Sequence, residues 1–271
     1  MPNLRVIYNN VADTATLTAS TTASGFAATN MQNSLKTSVH RSTGTTVTYT
    51  LIWGTAQSIN CVALPATNLQ STATIQVKVY TLDTDVTALY DTGSLAACTG
   101  KTTLLQGGIT QPTYIHFAYG GATRTSVWLP SSYSVKKVEI IVTNSYAIDC
   151  ARIVCGSYWE ASRQASNGIT LGTSDNSEIT ITRSGNTYVD RKAIFENMSF
   201  ELQYINDTDR KNFLNIMRSW GTNGLVYICV FPDNTNPEVT QSYSLYGRLQ
   251  NSSVEYRLYS LYGTNITVDS W

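Results

Sequence analysis

Histidine is scarce in this chain of 271 residues, which has two, His40 and His116. Charge is scarce as well. Asp, Glu, Lys and Arg make up 13 % of the residues, 18 basic against 18 acidic, so the net charge is zero. Without a basic surface, direct nucleic-acid binding is not expected, and zero net charge gives no long-range steering toward DNA. Catalysis needs convergent titratable groups, and none are evident. No Gly-x-Ser-x-Gly elbow, phosphate-binding glycine loop or metal-ligand spacing occurs. We expect no enzyme, no metal and no cofactor.

Cysteine usage points the same way. Cys61, Cys98, Cys150, Cys155 and Cys229 are odd in number and form no CxxC pair. All but Cys98 lie within apolar, strand-like runs, and the expectation is buried, reduced thiols. Cys150 and Cys155 stand five apart on what reads as a strand, which places them on opposite faces. The longest apolar run, Leu225 to Phe231, suits a buried strand and is far too short to span a bilayer. Met1-Pro2-Asn3-Leu4-Arg5 lacks the basic-then-apolar layout of a secretory leader, so synthesis and first folding are expected in the cytoplasm.

Short strands between polar turns fill the chain up to about Trp159. Leu4 and Val6 share a face of a first edge strand. Val47, Tyr49 and Leu51 alternate with threonines, Ile59 to Leu64 reads as a more buried strand, and Ile75, Val77 and Val79 alternate with Gln76 and Lys78. Val138 to Val142 and Ile148 to Cys155 complete the set. Such spacing indicates a β-sandwich or barrel. Residues 161–190 change composition, to a polar linker and a hairpin in which Glu178–Thr182 and Thr187–Val189 flank Ser184-Gly185-Asn186. From 191 to 271 the pattern is α+β. Met198, Phe200, Leu202 and Tyr204 alternate along a strand. Asn206 or Asp207 can cap the one clear helix, whose Phe213, Ile216, Met217 and Trp220 form a single apolar stripe before Gly221. The remainder reads as strands, including one from Val254 to Tyr262.

Two stretches resemble known families. Ala27–Met31 before Lys36–Ser42, then Val47–Leu51, Ile59–Leu69, Ala73–Tyr80, Val135–Ile140 and Ala151–Gly156, follow the element order of the discoidin-like (coagulation factor 5/8 type C) jelly roll. The run from Arg191 to Phe231 (strand, capped helix, Trp220-Gly221-Thr222-Asn223-Gly224, buried strand ending in Phe231-Pro232-Asp233) looks like the ring-forming domain of bacteriophage tail-tip proteins of the distal tail or minor tail type. The resemblance implies a mainly β protein. Residues 1–160 would be a discoidin-like β-sandwich, 161–190 a linker and hairpin arm, and 191–271 an α+β, split-barrel-like ring domain with one helix. It also implies a virion structural protein of the tail tip or baseplate, made in the host cytoplasm. Its partners would be further copies of itself in a ring, six favoured over three, and the tail tube, hub and fibre proteins. The alternative is a carbohydrate-binding module that adheres to cell-surface glycans.

Candidate contact residues follow. Tyr243, Tyr246, Tyr256, Tyr259 and Tyr262 crowd the last strands. Tyr256 and Tyr262 share one face with Leu258, and Tyr259 takes the other with Leu261, so both faces call for a cover, one of them from a neighbouring subunit. Ile179, Ile181 and Tyr188 on the hairpin arm are candidates for strand addition to a neighbour. Phe26 is the aromatic in the loops at 23–36 and 66–72, and is the candidate glycan platform. Asp83 and Asp85 read as turn formers. Glu196 and Glu201 lie five apart on a strand and face opposite sides, so neither pair suits glycoside hydrolysis. His40 and His116 read as satisfied or surface histidines.

Overall fold

The computed structural model describes residues 3–98, 122–165, 168–190, 192, 194–221, 223–234, 236–250, 253–258 and 261–271. Its architecture is mainly β. β1 (Arg5–Ile7) opens the chain, followed by β2 (Thr16–Ala19), β3 (His40–Arg41), β4 (Thr46–Thr67), β5 (Thr74–Tyr80), β6 (Tyr90–Asp91), β7 (Leu95–Ala96), β8 (Thr123–Thr143) and β9 (Asp149–Gly156). β10 (Tyr158–Glu160), β11 (Thr170–Asp175), β12 (Glu178–Ile181), β13 (Thr187–Asp190) and β14 (Ile194–Ile205) lead to helix α1 (Asp207–Trp220). β15 (Leu225–Cys229), a short helix α2 (Pro237–Ser242), β16 (Ser244–Leu249), β17 (Ser253–Leu258) and β18 (Leu261–Ser270) close it.

The first eight-stranded sheet runs β3-β9-β4-β8-β5-β6, with β2 on β4 and β7 on β5. β4 and β8 are antiparallel over most of their lengths, with register shifts between Ile52 and Gln57, Ile59 and Cys61, and Leu64 and Thr67. Bulges bend strands. The first half of β4 pairs β2 and the matching half of β8 pairs β5, while the second half of β4 pairs β9. One strand pair thus serves both layers of a sandwich. Sequence patterning shows two separate strands at 47–51 and 59–64, because exposed Gly54, Thr55 and Ala56 interrupt the apolar alternation. The shift at Ile59/Cys61 also changes parity. Val47, Tyr49, Leu51, Trp53 and Ile59 enter the sandwich core, as do Val62 and Leu64, whereas Cys61 and Ala63 turn to a second core.

That second core belongs to the contact with the other large sheet, ordered β10-β1-β15-β16-β18-β14-β11, with β17 on β18. Ile7, Tyr227, Cys229 and Tyr246 from this sheet pack on Cys61, Ala63 and Val154 of the sandwich. On its other side Val226, Ile228, Phe200, Leu202, Ile266 and Val268 meet Phe213 and Ile216 of α1. The layers are therefore two of sandwich, one of sheet and one of helix. A sheet covered on both faces reads as a near-continuous apolar run, as Leu225 to Phe231 does.

Several sequence expectations change here. β1 pairs β10 on one side and β15 on the other, so the stretch read as an edge strand of the first unit is an inner strand of the second sheet. The two ends of the 1–160 span, Arg5–Ile7 and Tyr158–Glu160, thus pair with each other outside the sandwich, which lies between them in the chain. The strand read from Val254 to Tyr262 is a hairpin. Tyr256 and Tyr262 share a face because they sit opposite each other across β17 and β18. Cys150 and Cys155 both face the sandwich core, since the β4–β9 register shifts between Ala63, Ala66 and Thr67 restore the same side. The helix agrees with its sequence signals. The Asn206 side chain accepts from the Asp209 amide at 2.8 Å, and Gly221 ends the helix at φ +54°.

Candidate functional site

The arm is β12 and β13, a two-stranded sheet that pairs with nothing else among the described residues. Ser184-Gly185-Asn186 turns the chain, with Gly185 at φ +81°, a conformation glycine adopts without strain. The arm extends the β11–β14 hairpin of the second sheet, which pairs Thr170 with Ser199 and Asp175 with Ile194. Its register sets Ile179 opposite Val189 and Ile181 opposite Thr187. These residues share one face, because side chains opposite each other in a ladder point the same way. Tyr188, opposite Thr180, is on the other face. Every residue of both strands is exposed, and Ile179, Ile181 and Tyr188 expose 67, 70 and 68 % of their surface. Lys192 pairs with Glu178 at the arm's base.

The tyrosines of the last strands divide. Tyr246 is buried between the layers, and its hydroxyl accepts from Arg152 Nε at 3.0 Å, so it serves a contact within the chain and not one between subunits. Tyr243 is half-buried, edge-on to Phe231 with ring centroids 5.0 Å apart. Tyr262 is half-buried under the Arg210 guanidinium, 4.9 Å from its ring centre. Tyr256 is 65 % exposed and edge-on to Tyr262. Tyr259 and His116 lie outside the described residues. Tyr204, read as the next residue of the face of Met198, Phe200 and Leu202, is instead exposed at φ +59°, because the β14 bulge between Leu202 and Ile205 turns Ile205 into the core in its place.

The units are joined by Arg152, which donates to the Tyr246 hydroxyl, and by the Arg124–Glu196 ion pair, whereas the Arg152–Asp13 pair lies within the sandwich unit. Arg152, buried, reaches Asp13 at 2.6 Å, and burial of the Asp13 carboxyl pushes its pKa up against the pull of Arg152. Arg124 pairs with Glu196 and donates to the Ser244 carbonyl at 2.9 Å, and burial lowers its pKa to about 10. Lys36 lies 5.4 Å from the Phe195 ring centre, and burial, then the neighbouring Arg124, hold its pKa at about 8. A cavity of about 290 Å³ between the units is lined by Arg124, Tyr227, Pro232 and Gln241 among others. Glu196, weighed above only as a hydrolase carboxylate, is an ion-pair partner here, and the other residues are not sequence candidates because each partner lies far away in the chain.

At one end of the sandwich three loops converge. Ser42 binds the Ile148 amide at 2.8 Å, Asn68 reaches the Ala147 carbonyl at 2.8 Å, and Thr72 meets Ser145 at 3.0 Å. Phe26 lies there with the Arg41 guanidinium 4.7 Å from its ring centre, and Arg41 makes a two-pronged pair with Asp149. One ring face of Phe26 is therefore occupied. Tyr146, 61 % exposed on the β8–β9 connection, is the freer aromatic of this end. Nothing local in the sequence marks it, because that loop joins the other two only through the fold.

The chemistry-bearing residues are engaged structurally. His40 is buried, its ring nitrogens 3.1 Å from the Tyr49 hydroxyl and the Thr21 carbonyl, and burial lowers its pKa. All five cysteines are buried and none forms a disulfide. Burial raises the pKa of Cys150 to about 12 and of Cys229 to about 11, so neither is a ready nucleophile. Asp85 caps a turn by accepting from the Leu82 amide at 2.8 Å. Among the described residues no group of three or more His, Cys, Asp or Glu side chains could hold a metal ion.

No family model and no curated protein matches this sequence. Solved structures similar to it include a chitosan-binding module from a chitosanase/glucanase of Paenibacillus sp. IK-5. The identity is 18 %, 55 % of this chain and 99 % of that one are covered, and the TM-score is 0.38. A fucose-binding module of Streptococcus pneumoniae is 11 % identical over 56 % of this chain and 99 % of its own, with a TM-score of 0.38. A Clostridium perfringens module in complex with GalNAc-β-1,3-galactose is 10 % identical over 55 % of this chain and 100 % of its own, with a TM-score of 0.37.

Proposed function

We propose that this chain is a non-catalytic assembly protein, a structural component of a long-tailed bacteriophage tail tip or baseplate. In this reading the second sheet with α1 forms the ring that joins the tail tube to the hub and fibres, and the sandwich decorates its outside. The observation that carries the reading is the arm. A two-stranded hairpin is marginal by itself, yet this one holds Ile179, Ile181 and Val189 on a face that nothing in the described chain covers. Exposed apolar residues on an unpaired strand edge mark a contact with another chain. A closed ring needs a heterologous contact, one patch against a different patch of the next copy. Tyr204 and Tyr256 are further exposed aromatics, on the two strands that flank β18, at the end of the β14–β18 ladder opposite the arm. Mass photometry over a concentration series, with negative-stain imaging of the same sample, tests this. Closed rings of six or three copies are expected, and a strict monomer at every concentration overturns the ring.

A second reading, glycan adhesion, is favoured by the convergence of three loops around exposed Tyr146, where an aromatic stands beside hydrogen-bonding side chains. A glycan array probed with the chain and with Tyr146→Ala tests it. Binding lost in the variant supports adhesion, and an empty array removes it.

A further inference from the structure

We propose that the arm's partner is the arm of a second copy, joined by a two-fold, antiparallel pairing of β12 with β12 centred on Thr180. The inference rests on the assembly reading above and changes one part of it: the arm joins one ring to a second ring, and closure within each ring falls to other surfaces of the second sheet and α1. The register follows from the hydrogen-bond alternation. The Thr182 amide donates to the Asn186 carbonyl at 2.8 Å, so Thr180 and Glu178, two and four residues earlier, also turn their backbone groups toward β13. Ile179 and Ile181 therefore turn theirs outward, to the edge that pairs with nothing among the described residues.

An antiparallel partner centred on Thr180 sets Ile179 opposite Ile181 of the second copy, and Ile181 opposite its Ile179. Both outward-facing residues then make ladder bonds in both directions, and no outward group of β12 is left over. The product is a four-stranded sheet, β13-β12-β12-β13, which passes the strand number at which a hairpin becomes stable. Its one face carries Ile179, Ile181 and Val189 from each copy side by side.

Charge selects the same direction. Glu178, ion-paired with Lys192 of its own copy, stands at one end of β12 and Arg183 just beyond the other. Antiparallel pairing brings the Glu178 end of each copy beside the Arg183 end of the other, whereas parallel pairing brings like ends together. Such an isologous contact coexists with a cyclic one in a dihedral assembly, for example two rings facing each other.

A cysteine scan of the full-length chain tests the proposal. On the two-fold axis Thr180 faces Thr180 of the second copy as a pair that exchanges no ladder hydrogen bonds, close enough for a disulfide. Thr187 lies on the outer strand, about three strand spacings, or roughly 14 Å, from its counterpart, and cannot bridge. Under mild oxidation T180C is expected to run as a dimer on a non-reducing gel, about ten-fold more than T187C. A heterologous contact never brings a residue opposite itself. If T180C stays monomeric on the gel while mass photometry still shows rings, the two-fold pairing is overturned and the assembly reading stands. If T180C stays monomeric and no oligomer forms, both fall. Equal cross-linking of T180C and T187C indicates random collision and also overturns the pairing.

Discussion

The inter-unit face and the arm are both strand surfaces rich in large apolar side chains, and the chain treats them in opposite ways. Between the units, Tyr227 and Tyr246 of the second sheet are buried against Cys61, Ala63 and Val154, and Arg152 satisfies the Tyr246 hydroxyl. On the arm, Ile179, Ile181 and Val189 have no such cover among the described residues. The difference teaches where each surface finds its partner. A tyrosine-rich strand completed within the chain is part of the core, whereas an aliphatic strand left open is an offer to another molecule.

The largest effect is expected where the comparison is broken on its covered side. Tyr227→Ala empties a fully buried site and should cost about 3–5 kcal/mol in urea unfolding, as large-to-small core changes do. Arg152→Ala leaves Asp13 and the Tyr246 hydroxyl without their partner and should cost about 3 kcal/mol, close to the range for breaking a buried pair. Asn206→Ala removes the helix cap under the same sheet and should cost about 1 kcal/mol.

A finer test uses Lys36, whose folded-state pKa of about 8 is below its ordinary 10.5. Between those values the unfolded chain binds more protons at this group than the folded chain. Its contribution to stability therefore rises as pH rises from about 8 to 10.5, and is at its most unfavourable below that window. Thermal melts of wild type and Lys36→Met should show the stability advantage of the variant shrinking as pH rises through this window. An advantage that stays constant with pH contradicts the burial of the charge.

The smallest effect on stability belongs to the open side. Replacing Ile179, Ile181 and Val189 together by Thr should change monomer unfolding by no more than about 0.5 kcal/mol, as exposed positions do.

What the sequence disclosed of this contrast depended on how local the signal was. The arm was legible because its alternation and its Ser184-Gly185-Asn186 turn lie within a dozen residues. The helix was legible from its cap and its 3.6-residue stripe. Tyr246 was misplaced because apolar alternation says that a face is covered but not by what, and its cover comes from Arg152, 94 positions away. β1 falls in the other unit for a related reason: Leu4 and Val6 do share a covered face, but the strand beside it, β15, lies far along the chain. The long strands β4 and β8 were read as fragments because polar residues mark the bend where one strand passes between layers. Tyr146 became a candidate only when the fold gathered its loop with two others.

Sedimentation velocity of the wild-type chain against the Ile179→Thr, Ile181→Thr, Val189→Thr triple variant, at matched concentrations, tests the central claim most directly. The account predicts that the wild type shifts to larger species as concentration rises, while the variant, equally folded, stays smaller at every concentration. Identical sedimentation of the two proteins would contradict the claim that the arm is the surface on which this chain assembles.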